Sequence, residues 1–433
     1  MMTQHPCNFR ASGRAVVFCF LAFAGLCSVA FAEDARWYKG NTHAHSFWSD
    51  GDEFPEMATQ WYKSHGYDFF SLSDHNRLMV GDSWVPIGEG KRASEETVAK
   101  CQQQFGQDWL TFRTENGVKQ AKLKTFAEIE AKFSEPGKFL FIQNEEISTG
   151  FDDRAVHLNA LNLAAAIAPK VGTSVADTIA LNLTKAKEQA LGLERRMLLQ
   201  VNHPNFACFD IAAEDLAASP AKFFEVCNGH PGVRNLGDAN HPSVEKIWDV
   251  ANTIRIAKMK ASPLFAIGSD DTHNYHKAGP GVASPGRAWI MVRAKELSAP
   301  AIVEAADRGD FYASTGVVLK DIAYDAPKRT LKVDIAAEPN VAYTIEFIGT
   351  LEDADPARLP VEVGGNPNRP AIQYSPEIGK VLSRVEGPSA TYQLTGKELY
   401  VRPVVRSNKP VANPSRAGAK NQEAWGQPVG WEK

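Results

Sequence analysis

The chain has 433 residues, 44% of them hydrophobic and 23% charged, with a formal charge of −4. That balance excludes a disordered chain, which needs low hydrophobicity and high net charge. It also lacks the basic excess that marks a nucleic-acid partner.

The first 32 residues read as an export signal. Arg10 and Arg14 supply the positive start, "AVVFCFLAFAGLCSVAF" the apolar stretch, and Ala30-Phe31-Ala32 a small-residue cleavage site. Cleavage is expected after Ala32, which predicts a periplasmic or secreted protein with no stable membrane insertion. Three cysteines then remain, Cys101, Cys208 and Cys227. Their spacing fits no zinc knuckle. Cys208 and Cys227 either pair in an oxidising compartment or stay as buried thiols.

From Trp37 to about Val292, short apolar runs alternate with longer amphipathic segments. The runs are "YDFFSLS", "KFLFIQN", "VHLNALNL", "RMLLQVN", "KFFEVCN", "PLFAIGS" and "RAWIMVR". Helices are predicted over Pro55–Ser64 (with Gly66 as its stop), Thr173–Leu191, Ala212–Ala218 and Ser243–Lys260. Such alternation argues for a parallel sheet covered on its faces, with about seven strands curling toward a barrel. Residues 77–135, rich in Lys, Glu and Gln, break the rhythm and read as an insertion. Beyond residue 310 the pattern becomes all-β, with segments such as "TLKVDIAAE", "AYTIEFIGT" and "ELYVRPVVRS". A small sandwich is expected there. The predicted organisation is therefore a signal at 1–32, an α/β barrel at 33–310, and a β-rich module at 311–433.

The apolar runs end in metal-ligand residue types: His43 and His45, Asp50, His75, Glu146, His203, and Asp271 with His273. His157 opens "VHLNALNL". In a β/α barrel the carboxyl ends of the strands converge on one mouth, which makes neighbours of residues remote in sequence. Residues i and i+2 of a strand share a face, so His43/His45 and Asp271/His273 can each serve one ion. Six of the eleven histidines and three carboxylates occupy corresponding positions. Such a lining, imidazole-rich and free of thiolate, suits zinc, iron or manganese better than calcium or magnesium.

At these residues the sequence resembles the PHP (polymerase and histidinol phosphatase) superfamily. "THAHSFWSDG", "SLSDHN", "NEEIS", "NHPN" and "SDDTH" appear in the family's order over about residues 37–295. The resemblance implies a distorted (βα)7 barrel holding two or three divalent transition-metal ions (Zn, Mn or Fe). Carried over by position, the ligands are His43, His45, Asp50, His75, Glu146, His157, His203, Asp271 and His273, with Glu146 bridging. Glu145 and Asp270 are the adjacent alternatives, and the Glu-Ile-Ser and D-x-H spacings favour Glu146 and Asp271. The implied activity is phosphoester hydrolysis of a small molecule by metal-activated hydroxide. The tail, "RGDFYASTGVVLKDIAYD" with a late "EAWGQPVGW", resembles a branch that includes secreted carbamate hydrolases, so carbamate or aryl-ester hydrolysis on the same metals is the alternative chemistry. A non-catalytic metal-containing binding protein is the alternative outside enzymes.

The remaining site candidates follow from position. Asp74, beside His75, is expected to orient an imidazole. Arg77 directly after "SDHN", and Arg154 before His157, are expected to grip an anionic substrate bidentately. Asn228 and His230 in "VCNGHP" end another predicted strand and are expected to line the pocket. Trp48 is a candidate stacking platform for an aromatic group.

Overall fold

Strand β1 spans Arg36–Asn41 in a computed structural model that describes residues 35–206, 209–359, 371–416 and 418–432. The export-signal segment lies outside these residues. Among them, no helix is long and apolar enough to cross a membrane. Seven more strands carry the site: β2 Phe69–Phe70, β3 Leu140–Phe141, β4 Glu146–Phe151, β5 Arg154–Leu161, β6 Leu198–Val201, β7 Phe223–Asn228 and β8 Phe265–Ser269. Six of the eight, all but β1 and β4, overlap the apolar runs, and β6, β7 and β8 are buried along nearly their whole length, as covered parallel strands are.

Pairing departs from the expected all-parallel barrel. β1, β2 and β3 are parallel neighbours at one end of a nine-stranded sheet, and β4 to β8 form a separate five-stranded sheet. Within the second sheet β6, β7 and β8 are parallel, but β5 runs antiparallel to both β4 and β6. The cause is a tight hairpin at Asp152-Asp153, whose φ values of 49° and 61° are both positive, as a two-residue primed turn requires. Among the described residues no continuous ladder closes a barrel. The two sheets meet at two seams. At one, Ala160 and Asn162 donate to Glu145 O and Gln143 O; at the other, Asp271 donates to His43 O and His45 to Thr272 O.

Two glycines are forced by close approach. A Cβ on Gly40 would fall 2.0 Å from the Phe69 ring, and one on Gly51 would fall 2.6 Å from the His45 backbone. The Asp-Gly pair of the first motif is thus a packing requirement of the loop that carries Asp50.

Helices cover the outer faces. Pro55–Ser64 begins with Pro at its first turn and stops before Gly66 (φ 73°). Val175–Gly192 and Val244–Thr253 are capped by Ser174 and Ser243, whose side chains accept from the third residue on. Their apolar faces, Ile179, Leu183, Ile247 and Trp248 among them, pack on Val156, Leu158, Val201 and Phe224. The helix predicted to reach Lys260 turns into a π-helix over Ile254–Met259.

The insertion at 77–135 forms a three-stranded antiparallel sheet and two helices, Glu95–Phe105 and Phe126–Phe133. Its core merges with Phe47, Trp48, Phe54 and Tyr62, behind the Asp50 loop. Trp48 belongs to that core and donates Nε1 to Lys124 O at 2.9 Å, so it is packing and not a stacking platform.

The β-rich tail is a sandwich, enclosing Leu331, Val333, Ile345, Phe347 and Val405. One of its sheets holds Leu319–Asp325, Thr330–Ile335 and Ser389–Gln393. The other is the far end of the nine-stranded sheet, which runs through Phe311–Ser314 and Trp289–Ala294 to β1. A buried ionic cluster ties the tail to helix Val244–Thr253. Arg402, 1% exposed, is held by Asp249 at 2.7 and 2.8 Å, and Arg406 reaches Glu245 at 3.0 Å, Glu346 at 3.1 Å, and Glu423.

Candidate metal centre

All nine predicted ligands converge. His43 and His45 follow β1 on one side of the chain, with Ala44 between them turned into the core. His75 follows β2, His203 follows β6, and Asp271 and His273 follow β8. Glu146 opens β4, and His157 faces it across the hairpin, on the side of β5 shared with Asn159.

Glu146 is the hub. Its Oε1 lies 3.2 Å from His43 Nε2, 3.2 Å from His157 Nδ1 and 3.3 Å from His203 Nε2. Its Oε2 lies 2.7 Å from His75 Nδ1 and 3.5 Å from His45 Nε2. Asp271 Oδ1 approaches His45 at 3.2 Å and His43 at 3.3 Å. Asp50 reaches His273 at 3.4 Å and both His45 and His75 at 3.6 Å. Most of these separations exceed the ~2.7–2.9 Å of a charge-assisted hydrogen bond. They match neighbouring donors around one ion: with bonds of about 2.0–2.1 Å, tetrahedral ligands stand roughly 3.3–3.4 Å apart.

The donors sort into four overlapping groups whose atoms lie within 4.8 Å of one another. These are His45/Asp50/His75/His273, His43/His45/Glu146, His43/His203/Asp271 and His75/Glu146/His157. Buried polar atoms in this region lack hydrogen-bonding partners, including His43 Nε2, His45 Nε2, Glu146 Oε2 and His203 Nδ1. Each such atom costs ~1–3 kcal/mol if nothing satisfies it. The donor set therefore fits several divalent cations and does not satisfy itself. Two of the predicted ligands also sit at positive φ, His203 at 31° and Asp271 at 51°, a backbone cost of ~1–3 kcal/mol each borne at the site.

Electrostatics express the same crowding. Burial works against a charged His43, but Asp271, Glu225 and Glu146 outweigh it and hold its pKa well above the ordinary value. His75 is likewise opposed by burial and raised to about 10 by Glu146 and Asp50. His45, buried and next to His273, falls to about 3. Glu146 and Asp271 stay far below the usual carboxylate range, since the surrounding imidazoles overcome their burial. The adjacent alternatives turn away. Glu145 accepts from Ile167 N–H, and burial pushes it up to about 7. Asp270 is taken up by the N–H groups of Gly286, Arg287 and Ala288 and by Tyr62.

A supporting layer was only partly foreseen. Glu225, fully buried, binds His43 Nδ1 at 2.7 Å and also accepts from His203 N–H, Gln200, Ser269 and Asn228. Asn202 donates to Glu146 Oε1 at 2.8 Å. The signal for Glu225 was present in "KFFEVCN", where a carboxylate interrupts an apolar strand and so must have buried partners.

The other predicted residues divide. Asp74 touches no imidazole: it accepts from Ser46 N–H, Ser46 Oγ and Ser49 Oγ, and acts on His45 only through Ser49, whose Oγ is 3.2 Å from Nδ1. The turn of the Asp50 loop brings Ser49 between them. Arg77 is exposed, its backbone N–H on Asp74 O. Arg154 lies on the opposite side of β5 from His157, the side of Val156 and Leu158, and its electrostatic neighbour is Asp215. Strand alternation thus removes it from the cluster. Asn228 positions Asp271 (3.2 Å) instead of facing a ligand. His230 stands beside His273, ring centroids 5.4 Å apart, and its Nδ1 accepts from Gly232 N–H at 3.0 Å. Cys101 and Cys227 are free thiols, both pushed up by burial; Cys208 lies outside the described residues.

No protein-family profile matches the sequence, and no curated protein does. In structure, 91% of the chain aligns with 95% of a two-domain protein from Bacteroides vulgatus containing a predicted PHP-like metal-dependent phosphoesterase, at 15% identity and a TM-score of 0.38. A second solved structure, a candidate metal-dependent phosphoesterase from Bifidobacterium adolescentis, aligns over 57% of this chain and 90% of its own, at 11% identity and a TM-score of 0.27.

Proposed function

We propose that the protein is a metal-dependent hydrolase, acting on a small phosphate mono- or diester outside the cytoplasm after cleavage at Ala32. The observation that carries this reading is Glu146, whose two oxygens face five imidazoles, three on one side and two on the other. That is the arrangement of a carboxylate shared between cations. Two or three divalent ions (Zn, Mn or Fe) would be held by the four donor groups, with Glu146 common to two of them. When bound, such ions supply Lewis acidity, which polarises a phosphoryl oxygen and makes water acidic enough to attack near neutral pH.

The chain's own residues give direction to that chemistry. His43 and His45 are wholly buried, whereas the Asp50 side chain is 56% exposed and that of His75 28%, so substrate approaches over the Asp50–His75–His273 edge. His230 is kept neutral by burial, and with Nδ1 accepting from Gly232 its proton sits on Nε2, ready to donate to a bound oxygen. Arg77 stands at the exposed rim as an anion contact. Both described thiols are too weakly acidic to serve as nucleophiles.

The test combines metal content with a substrate panel. Protein purified from the periplasm should carry two or more transition-metal ions per chain and hydrolyse p-nitrophenyl phosphate or bis-p-nitrophenyl phosphate. Turnover of a naphthyl carbamate with neither phosphate ester would move the reaction to carbon. Absence of bound metal would end the proposal.

A further inference from the structure

Four of the six imidazoles of the cluster share a pattern that His203 does not follow. His43, His45, His75 and His273 each have Nδ1 within reach of a second group: Glu225 at 2.7 Å, Ser49 Oγ at 3.2 Å, Ser148 Oγ at 2.6 Å and Asp271 O at 3.0 Å. Such partners fix the ring and its tautomer so that the other nitrogen points at the ion. His203 presents Nε2 to Glu146 at 3.3 Å, but its Nδ1 is buried and without a partner. A ligating imidazole with an unsatisfied buried N–H carries the full cost of a lost hydrogen bond.

A matching vacancy lies on the same loop. Asp210 is 1% exposed, and its Oδ1 accepts from Phe206 N–H at 3.2 Å and Ile211 N–H at 3.0 Å. Oδ2 is buried with no partner. The Phe206 N–H is shared with His203 O at 3.1 Å, so the Asp210 carboxylate is anchored against the backbone of the ligand residue itself. The Phe206 ring closes over the His203 imidazole at 5.0 Å between centroids. One loop thus holds an orphaned donor and an orphaned acceptor, both shut away from solvent.

We infer that Asp210 is the positioning residue for His203, its Oδ2 accepting the His203 Nδ1–H through one bridging water. No direct bond joins the two groups, and a water with two such partners makes a link nearly as favourable as a direct one. The inference rests on the metal-site reading above for its consequence, but not for its geometry. Asp210 sets which nitrogen of His203 faces the cluster, and it makes that nitrogen a stronger donor to a cation.

The experiment uses the full chain. Wild type, Asp210→Ala, Asp210→Asn and His203→Ala are compared by chelator competition with zinc alone and by 15N NMR of the histidine side chains. Asp210→Ala should weaken the ion bound by His203 by about 10–100-fold and leave the tighter ion unchanged. In metal-free protein, at a pH where the ring is neutral, it should also shift the His203 nitrogens away from the Nδ1–H tautomer. Asp210→Asn, which keeps an acceptor oxygen, should restore most of the affinity. In a His203→Ala background Asp210→Ala should cost nothing further. Wild-type zinc affinity in Asp210→Ala with an unshifted His203 tautomer overturns the inference, as does an equal loss in the His203→Ala background. Should wild type bind no zinc, the metal reading fails, and the tautomer shift in metal-free protein still decides the role of Asp210.

Discussion

Two buried ionic assemblies lie in this molecule and behave oppositely. Where the tail meets helix Val244–Thr253, two arginines (Arg402 and Arg406) meet four carboxylates (Asp249, Glu245, Glu346 and Glu423) at hydrogen-bonding distance. That assembly pairs each carboxylate with an arginine, and Tyr400 completes Asp249 at 2.7 Å, while one guanidinium nitrogen, Arg402 Nη1, stays without a partner. In the candidate centre, six imidazoles crowd three carboxylates at distances mostly longer than a charge-assisted hydrogen bond, leaving several atoms unsatisfied. Folding pairs nearly all of the first assembly, whereas the second keeps several unsatisfied donors and acceptors that cations would complete. Buried charge therefore serves stability at one place and ligand capture at the other, and the sign of the leftover valence tells them apart.

The largest expected effect comes from removing the hub. Glu146→Ala should abolish binding of the shared ions and lower kcat/KM by on the order of 1,000-fold or more, since ligands that act as a unit fail together. Elemental analysis alongside steady-state kinetics checks it. Retained metal and retained turnover would erase the distinction drawn above.

The paired assembly should respond in stability instead. Asp249→Ala leaves Arg402 buried without its bidentate partner and should cost ~3–5 kcal/mol of unfolding free energy. Metal content per folded chain should not change. The double variant Asp249→Leu/Arg402→Met should recover most of the loss, because both charges leave together. Denaturant titration with metal analysis on the same samples separates the two outcomes.

Proton linkage sharpens the contrast further. In the metal-free protein His75, raised to about 10, is charged at pH 7, and cations must displace that proton. Zinc affinity should therefore rise by about tenfold per pH unit for each proton released, up to the pH at which His75 is neutral. Stability of the metal-free protein runs the other way. The His75 contribution is full below pH ~6.5 and fades as pH rises through about 10. Glu146 and Asp271, held low, contribute above their ordinary pKa range and lose that contribution as pH falls. Calorimetric zinc titrations in buffers of different ionisation enthalpy count the protons. Uptake without release would mean the imidazoles are neutral beforehand.

Much of the centre was legible in the sequence because its ligands stand where apolar runs stop, and a strand end is a position that survives uncertainty about pairing. His43, His75, Glu146 and Asp271 needed no knowledge of topology. What the sequence concealed was strand sense. The Asp152-Asp153 turn reverses β5, and the period-2 alternation that turns His157 inward sends Arg154 outward. The tail's alternation showed a sandwich but not that one of its sheets would extend from β1. Long-range pairing of that kind has no local signature. Glu225 was visible as a carboxylate in apolar surroundings, yet most of its partners, His43, Gln200, His203 and Ser269, are contributed by other segments.

The smallest effect should come from Ser49, which separates direct support from relayed support. Asp74 is buried and accepts three hydrogen bonds, and only one of them, from Ser49 Oγ at 2.6 Å, leads onward to His45. Ser49 Oγ is 3.2 Å from His45 Nδ1, a long contact, while Ala44 and Thr272 hold the His45 backbone independently. Removing the hydroxyl loses one neutral bond worth ~1 kcal/mol, so Ser49→Ala should weaken zinc by less than about tenfold. Asp74→Ala should cost more in stability than in metal, since the Ser46 contacts fix the loop whether or not cations are present. Finding the reverse, with Asp74→Ala costing zinc affinity at unchanged stability, would put Asp74 in command of His45 and make the relay as strong as direct contact.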